Sequence, residues 1–232
     1  MKKIQIARLA TQLLFVALTV TALLMQLSVI KALIVLTTVL CGVFYCGWAC
    51  PFGFIQDIGL RIGKKLGIKN RKIATSVHKV AVYMRYVLAI ATLVFMSEFV
   101  MNLMGLEARG AFIGLISGRI PTVAALLSIV FFFVLSIKYD RMYCRYICPE
   151  GGRYGVMSLV RPFTIKRNDD VCVNCGKCDR ACPMQIAISK ADKLRSPQCV
   201  NCFECMGACP VDGAMEYGVV FARNSKKIEK NN

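Results

Sequence analysis

The sequence has very little histidine, and it lacks several common cofactor motifs. His78 is the only histidine among 232 residues, so two histidines of this chain cannot hold a haem. No C-x-x-C-H motif for c-type haem is present, and neither a P-loop nor the GxGxxG motif of dinucleotide-binding proteins occurs. We therefore expect no haem on this chain and no nucleotide bound in one of the usual ways.

Charged residues are also scarce. They make up 19% of the chain, against 56% hydrophobic residues, and this balance favours an integral membrane protein over a soluble domain. Basic residues outnumber acidic ones by 30 to 13, which gives a net charge of +17. Because no nucleic-acid-binding module accompanies this charge, we expect membrane lipid and acidic electron carriers as counterparts, and no nucleic acid.

Four apolar runs have about the length that a membrane-spanning helix needs, roughly 20 residues. They lie at about 9–30, 32–50, 80–101 and 120–138. Lys and Arg residues collect before the first run, between the second and the third, and after the fourth. By the positive-inside rule, both termini and the segment after the fourth run are cytoplasmic. The sequence therefore predicts a multi-pass protein of the cell membrane, with a four-helix transmembrane domain over residues 1–160.

The chain is rich in cysteine, with 13 residues, most of which lie in two similar runs. These are CVNCGKCDRACP at 172–183 and CVNCFECMGACP at 199–210, and both fit the pattern C-x2-C-x2-C-x3-C-P. A secreted disulfide framework does not suit this chain, because chains of that class are short and lack long apolar runs. A zinc site would need only pairs of C-x2-C. The duplicated spacing instead predicts two [4Fe-4S] clusters.

Four further cysteines belong to a second repeated motif, C-x3-C-P-x-G. It occurs in FYCGWACPFG at 44–53 and in MYCRYICPEG at 142–151. Each proline is expected to end a helix, and each glycine to permit a sharp turn. Four thiolates are the number that one cubane requires, so we expect a third iron–sulfur cluster, on Cys46, Cys50, Cys144 and Cys148.

The same motif is also compatible with roles that involve no cluster. Its cysteines could be buried, lipid-facing or palmitoylated, and the prolines and glycines would then only end helices. A single metal ion or a set of redox-active thiols would also account for the four cysteines. Cys41, in the second apolar run, is expected to serve only in packing.

Three ionisable residues in or near the third apolar run are candidates for proton or electron chemistry. Glu98 would accept protons from a quinol, and Arg85 would stabilise a negative semiquinone or cluster. His78 would exchange a proton or contact a quinone headgroup. The alternative is structural. In that case Arg85 and Glu98 reach toward the two membrane interfaces, and His78 is solvated.

The duplicated run of residues 172–210 resembles the bacterial two-cluster ferredoxin. The resemblance implies a small α+β domain over 161–217, followed by a polar, basic tail at 218–232. It also implies that the fourth cysteine of each run binds the other cluster. The first cluster would be held by Cys172, Cys175, Cys178 and Cys209, and the second by Cys199, Cys202, Cys205 and Cys182.

From about Ile6 to Met215, the chain resembles the NapH/MauN-type membrane ferredoxins, which are related to the membrane parts of NosR-like and PceC-like proteins. The resemblance implies a membrane all-α fold of four transmembrane helices plus the ferredoxin-like domain. It also implies electron transfer between the quinone pool, or cytoplasmic electron carriers, and a partner redox protein, as in a quinol dehydrogenase. Quinone and other redox subunits, such as a flavoprotein or a ferredoxin, would be its partners. The S/T-G-A-T flavinylation motif of the NosR and PceC relatives is missing, so no covalent flavin is expected.

Two further functions are compatible with the sequence. One is a ferredoxin-dependent electron-input subunit for a membrane or extracytoplasmic flavoprotein. The second is an accessory metal-ion reductase in metalloenzyme maturation. The sequence also leaves open whether the chain is itself an enzyme or an electron-transfer subunit of an oxidoreductase.

Overall fold

The structure is a computed structural model that describes residues 6–14, 28–68, 70–94, 108–116, 118 and 120–220. Most of these residues are helical. The helices are α1 (residues 6–14), α2 (Ser28–Cys41), α3 (Pro51–Lys65), α4 (Thr75–Val94), α5 (Ala108–Ile116), α6 (Val123–Ser136), α7 (Met142–Tyr146), α8 (Pro149–Met157), α9 (Lys177–Ala181) and α10 (Glu204–Ala208). A π-helical turn covers Tyr45–Ala49, and short 3₁₀ turns cover Ser158–Val160 and Ile188–Lys190. The strands β1 (Phe163–Arg167) and β2 (Met215–Val219) form a small antiparallel sheet.

The prediction of four membrane-spanning helices is wrong for the described part of the chain, where no helix is both long enough and apolar enough to cross a bilayer. α2 and α6 have 14 residues each. At 1.5 Å per residue such a helix is ~21 Å long, short of the ~30 Å hydrocarbon core. α4 has 20 residues, but His78, Lys79 and Arg85 interrupt its apolar character. The predicted multi-pass placement in the cell membrane, with cytoplasmic termini, depended on those spans and is therefore not supported. The described fold is mostly helical with a two-stranded sheet.

The helix boundaries also differ from the predicted ones. Lys31, where the sequence predicts a break between the first two apolar runs, lies inside α2. That helix ends at Cys41, because Gly42 adopts a φ of 92°, in the left-handed region that favours glycine. The π-helical turn follows at once, so the second predicted span is interrupted. Residues 15–27 of the first predicted span and 95–101 of the third lie outside the described residues.

Pro51 and Pro149 begin helices, whereas the sequence pattern predicts that they end helices. Each occupies the first turn of a helix, α3 or α8, and the N-caps are Cys50 and Cys148. Proline suits this position because the N–H that it lacks would have no partner within the helix. The glycines of the two motifs accordingly lie in the first helical turns and do not form the predicted sharp turns.

Residues 163–219 form the small α+β unit that the ferredoxin resemblance implies. β1 and β2 pair along their whole lengths and so join the two ends of this segment. α9 and α10 lie between them, one within each cysteine run. The apolar core of the segment also receives Phe44 and Trp48. The cysteine-rich segment therefore packs directly against the first C-x3-C-P motif.

Candidate metal centres

A first cavity in the cysteine-rich segment is lined by four cysteines, and we call it the outer site. Three come from the first run and one from the second: Cys172, Cys175, Cys178 and Cys209. This is the set that the ferredoxin resemblance implies for one cluster. Cys175 is exposed, so one wall of the outer site faces solvent.

A second cavity, the inner site, is lined by the other four cysteines of the two runs, Cys182, Cys199, Cys202 and Cys205. All four are buried, among apolar side chains that include Met184 and Ile188. Burial raises the pKa of Cys202 to about 12 and that of Cys182 to about 11. Thiols in such surroundings stay protonated unless a cation, such as the iron of a cluster, stabilises the thiolate.

The two cysteine runs share an unusual backbone conformation. Asn174 and Asn201 have φ values of 51° and 47°, while Gly176 and Phe203 have values of 64° and 56°. These left-handed residues flank the second cysteine of each run and curl the loop around its cavity. The conformation is common for Asn and Gly but costs roughly 1–2 kcal/mol for a residue such as Phe. The repeated asparagine of CVNC is the sequence signal for this geometry, and the argument from cysteine spacing missed it.

The two C-x3-C-P motifs meet in space, and we call their four cysteines the repeat site. The thiol of Cys46 lies within charge–charge interaction range of Cys50, Cys144 and Cys148. Cys50 and Cys148 belong to one buried apolar cluster, against which Cys144 also packs. The structure therefore brings together all four cysteines that the sequence predicts to share a third cluster.

Two groups donate hydrogen bonds to sulfur atoms of the repeat site. The side-chain Nε2 of Gln56 lies 3.2 Å from Cys144 Sγ, and the backbone N–H of Gly151 lies 3.3 Å from Cys148 Sγ. Burial raises the pKa of Cys144 to about 11 and that of Cys148 to about 12, and these two donors oppose the rise. Hydrogen bonds to ligand sulfurs are also a means by which proteins tune iron–sulfur centres.

Two arginines bring positive charge to the repeat site. Arg109, at the start of α5, lies within charge–charge range of Cys50 and Cys148, and its Nη2 donates to the hydroxyl of Tyr45 over 3.4 Å. Arg141, just before α7, lies within the same range of Cys144. Positive groups favour the thiolate form of neighbouring cysteines. Neither arginine belongs to a motif, so no sequence signal identified them.

The repeat site and the inner site share a wall. Trp48 donates its indole N–H to the carbonyl of Asn201 over 2.8 Å. Gly47 packs so closely on Val200 that an added Cβ would overlap the carbonyl oxygen of Val200. The side chain of Cys46 also packs against the apolar core that contains the inner-site cysteines. Residues of the first C-x3-C-P motif therefore contact the loop and the core that line the inner site.

Arg85 and His78 both lie beside the second C-x3-C-P motif. Arg85 is 1% exposed and donates to the carbonyl of Gly151. His78 is 9% exposed, and its Nδ1 lies 2.8 Å from the hydroxyl of Tyr146. Burial, followed by the charge of Arg145, lowers the pKa of His78. His78 is therefore a buried histidine rather than a solvated one.

Two residues singled out by sequence remain, Glu98 and Cys41. Glu98 falls outside the described residues. Cys41 lines neither cavity, and its carbonyl accepts hydrogen bonds from Asn201 Nδ2 at 2.6 Å and from the hydroxyl of Tyr217 at 2.7 Å. These contacts join the end of α2 to the cysteine-rich segment.

The donor chemistry of the three sites fits iron–sulfur clusters. Each site gathers four cysteine thiols, the ligand number of a [4Fe-4S] cubane. Among the described residues, no three Cys, His, Asp or Glu side chains are arranged as they would be around a single metal ion. A cubane instead bonds each thiolate to a different iron, so its donors stand farther apart than those around one ion. The buried, protonated thiols are then the groups that cluster iron would deprotonate.

Two family models match the cysteine-bearing parts of the chain. One, described as a 4Fe-4S binding domain, matches residues 23–69 and again 121–167, and each match contains one C-x3-C-P motif. The other, described as a 4Fe-4S dicluster domain, matches residues 164–210 and contains both cysteine runs. No solved structure matches the chain.

Several curated proteins are similar to the chain. The uncharacterized protein MJ0750 of Methanocaldococcus jannaschii is 32% identical, over 71% of this chain and 68% of its own length. The putative electron transport protein YccM of Escherichia coli is 29% identical, over 66% of this chain and 44% of its own length. The methylamine utilization ferredoxin-type protein MauN of Methylorubrum extorquens is 36% identical, over 66% of this chain and 51% of its own length. The chain thus spans about half the length of YccM and MauN. These matches confirm the resemblance drawn from the motifs, and the chain belongs to the family of ferredoxin-type 4Fe-4S proteins that includes NapH and MauN.

Proposed function

We propose that the chain carries single electrons along three [4Fe-4S] sites, in the order outer, inner and repeat. An iron–sulfur electron-transfer role in general follows from the family. When bound, each cluster would take up and release one electron. The finer proposal is that the repeat site holds a third cluster and forms one end of the route.

One observation carries this proposal. Cys46 faces the other three cysteines of the repeat site, and its side chain also packs against the core that holds the inner-site cysteines. A cluster on Cys46 would therefore sit next to one on the inner site.

The outer and inner sites are held side by side by an exchange of ligands. Cys182 comes from the first run but lines the inner site, and Cys209 comes from the second run but lines the outer site. Each run therefore spans both cavities. Since Cys175 is exposed and the inner-site cysteines are buried, the outer site is the one placed to exchange electrons with a redox protein in solution.

Aromatic side chains keep water away from the boundary between the inner and repeat sites. Phe44 lies 5.6 Å from Phe203 and 6.3 Å from Trp48, measured between ring centroids. Trp48 and Phe203 are 5.9 Å apart on the same measure. Such a packed apolar layer lowers the local dielectric constant, and burial of this kind is one way in which a protein sets a cluster's potential.

The first test is the amount of iron and acid-labile sulfide per chain in anaerobically purified protein. Three cubanes predict about twelve irons, and the Cys46→Ser/Cys144→Ser variant should retain about eight, with the ferredoxin-type EPR signals intact. Cys41→Ser is the matched control, because Cys41 lies in the same region but outside the sites, and it should retain the full amount. About eight irons in the wild type as well as in the double variant would contradict a cluster at the repeat site.

The donor and acceptor need a second test. For the leading function, which is quinol-dehydrogenase-like, a quinol should reduce the clusters of the purified protein. Reduction by a reduced ferredoxin but not by quinol would contradict that function and favour the electron-input subunit. Rapid reduction of ferric or cupric ions without quinone would instead favour the metal-ion reductase.

A further inference from the structure

Arg141 occupies an unusual position between two of the sites. It is 2% exposed, and its φ of 43° and ψ of 45° place a non-glycine residue in the left-handed region. Such a conformation costs roughly 1–2 kcal/mol and persists only where surrounding contacts hold it. At Arg141 those contacts are unusually strong, and they come from several elements.

The guanidinium of Arg141 is fixed on two sides. Its Nε and Nη2 donate to the two carboxylate oxygens of Asp57 over 2.9 and 2.7 Å, a bidentate pair. Its Nη1 donates to the carbonyl of Cys46 over 2.9 Å. The cation is therefore held against the backbone of one repeat-site cysteine, in a position that its rigid planar fork makes well defined.

This position brings the charge of Arg141 to two sites at once. Cys144 of the repeat site and Cys202 of the inner site both lie within charge–charge range of the guanidinium. Other buried or partly buried arginines lie in range of one site each. Arg8, the second partner of Asp57, lies in range of Cys202 in the inner site. Arg109 lies in range of Cys50 and Cys148 in the repeat site, and Arg161 lies in range of Cys199 in the inner site.

We propose that Arg141 is a positioning residue whose single buried charge raises the reduction potentials of the inner and repeat sites together. The inference rests on the proposed third cluster. An anionic centre becomes more negative on reduction, so a nearby cation stabilises the reduced form and raises the potential. Because Arg141 is buried, its charge is screened less than a surface charge would be. Its salt bridge to Asp57 fixes the place of the charge and offsets part of it.

The shared arrangement has a consequence for electron transfer. A change in the charge of Arg141 moves both potentials in the same direction, so the difference between the two sites changes less than either potential does. Arg109 acts on the repeat site, and Arg161 and Arg8 act on the inner site, so these three affect the difference. Different residues thus affect the reduction potentials of both sites together and the difference between those two potentials.

The test is an EPR-monitored redox titration of the whole cluster-loaded protein and its variants. The repeat-site signal is identified by its loss in Cys46→Ser/Cys144→Ser. Arg141→Gln should lower both potentials, and Arg141→Lys, which keeps the charge, should lower them less. Arg109→Gln should lower only the repeat-site potential, and Arg161→Gln only the inner-site potential.

A variant that should shift both potentials in the opposite direction distinguishes an effect of charge from a merely structural one. Asp57→Asn removes the negative partner of Arg141, and it should raise both potentials, whereas general loosening of the sites would not reverse the sign. If Arg141→Gln loses iron, the potentials of Arg141→Lys and Asp57→Asn test the proposal instead. Unshifted potentials in Asp57→Asn, or a shift at one site alone in Arg141→Gln, would overturn the role of Arg141 while leaving the three-cluster function standing. About eight irons in the wild type would contradict both the third cluster and this inference.

Discussion

The indole N–H of Trp48 donates to the carbonyl of Asn201 over 2.8 Å. Trp48 lies between the two cysteines of the first C-x3-C-P motif, and Asn201 lies between the first two cysteines of the second run. One hydrogen bond therefore joins the first C-x3-C-P motif to the second cysteine run, and both are proposed to bind clusters. The relationship makes the boundary between the inner and repeat sites the most informative part of the molecule for mutation.

Gly47→Ala should disturb this boundary. An added Cβ would overlap the carbonyl oxygen of Val200, and a backbone atom cannot move aside as a flexible side chain can. We expect the variant to lose iron from the inner and repeat sites. Its free energy of unfolding, measured by denaturant titration, should fall by about 1–3 kcal/mol. Gly218→Ala is the control, since only Lys166 Nζ lies near its added Cβ, at 4.0 Å. Equal iron content and stability in the two variants would show that the close approach at Gly47 is not needed.

Asp57→Asn should reduce stability, because Asp57 is paired with two buried arginines. Burial by itself raises the pKa of Asp57, but Arg141 and Arg8, at 2.7 and 2.6 Å, hold it at about 2, against an ordinary 3.8. A shift of this size corresponds to about 2 kcal/mol, present above pH 3.8 and lost as the pH falls toward 2. Denaturant unfolding at pH 7 should show a loss of that order.

The control for Asp57 is Asp192→Asn. Asp192 also pairs with an arginine, Arg167, but its side chain is 70% exposed and the distance is 3.5 Å. An exposed pair of this kind contributes between about 0 and 1 kcal/mol. If the Asp57 and Asp192 variants lose the same stability, burial does not explain the strength of the Asp57 pairs.

His78 should make the stability of the protein depend on pH. Burial and the charge of Arg145 lower its pKa below the ordinary 6.5, so the unfolded chain binds a proton more readily than the folded one. The free energy of unfolding should therefore fall as the pH drops below 6.5, and be fully regained above it. Denaturant titrations at pH 7.5 and 5.5 measure the effect, and His78→Gln should reduce it. An unchanged pH dependence in the variant would assign it to other groups.

Iron removal should proceed in two phases. The outer site has an exposed cysteine, Cys175, whereas the inner site is lined by buried ones. A colorimetric iron chelator under anaerobic conditions should therefore extract about four irons quickly and the rest slowly, since each cubane holds four. Cys209→Ser, which removes the outer-site ligand supplied by the second run, should abolish the fast phase. Loss of all iron in one phase would contradict the difference in access.

The grouping of the cysteines is the feature that sequence reasoning approached most closely. Spacing and the ferredoxin resemblance divided eight cysteines into two sets of four, and the structure places those same sets around two cavities. Matching Pro and Gly residues suggested that Cys46 and Cys144 belong together, and their motifs do meet. Local repeats are visible in one sequence, because both copies carry the same spacing. The binding of clusters by these sets remains a prediction.

The membrane spans show why hydropathy alone was insufficient. It measures the composition of a run and not where a helix starts or stops. Gly42 ends α2 within the second run, and α4, in the third, includes His78 and Arg85. Some of the apolar residues also lie on exposed helix faces, as at Leu36 and Ile90, which are 54% and 64% exposed. High apolar content therefore gave neither the helix boundaries nor the extent of the core.

The charged network around Arg141 could not have been found from the sequence. Arg141 and Asp57 are 84 positions apart, and neither belongs to a recognisable pattern. Their pairing depends on the meeting of α3 with the residues before α7, which is a property of the tertiary fold. Arg109 and Gln56 were missed for the same reason.

The exchange of Cys182 and Cys209 between cavities also fixes an order of completion during synthesis. The chain is made from its N-terminus, so Cys205 completes the inner set before Cys209 is added to the outer set. The first run alone supplies three cysteines of the outer set and one of the inner set, so neither set is complete until the second run has been made.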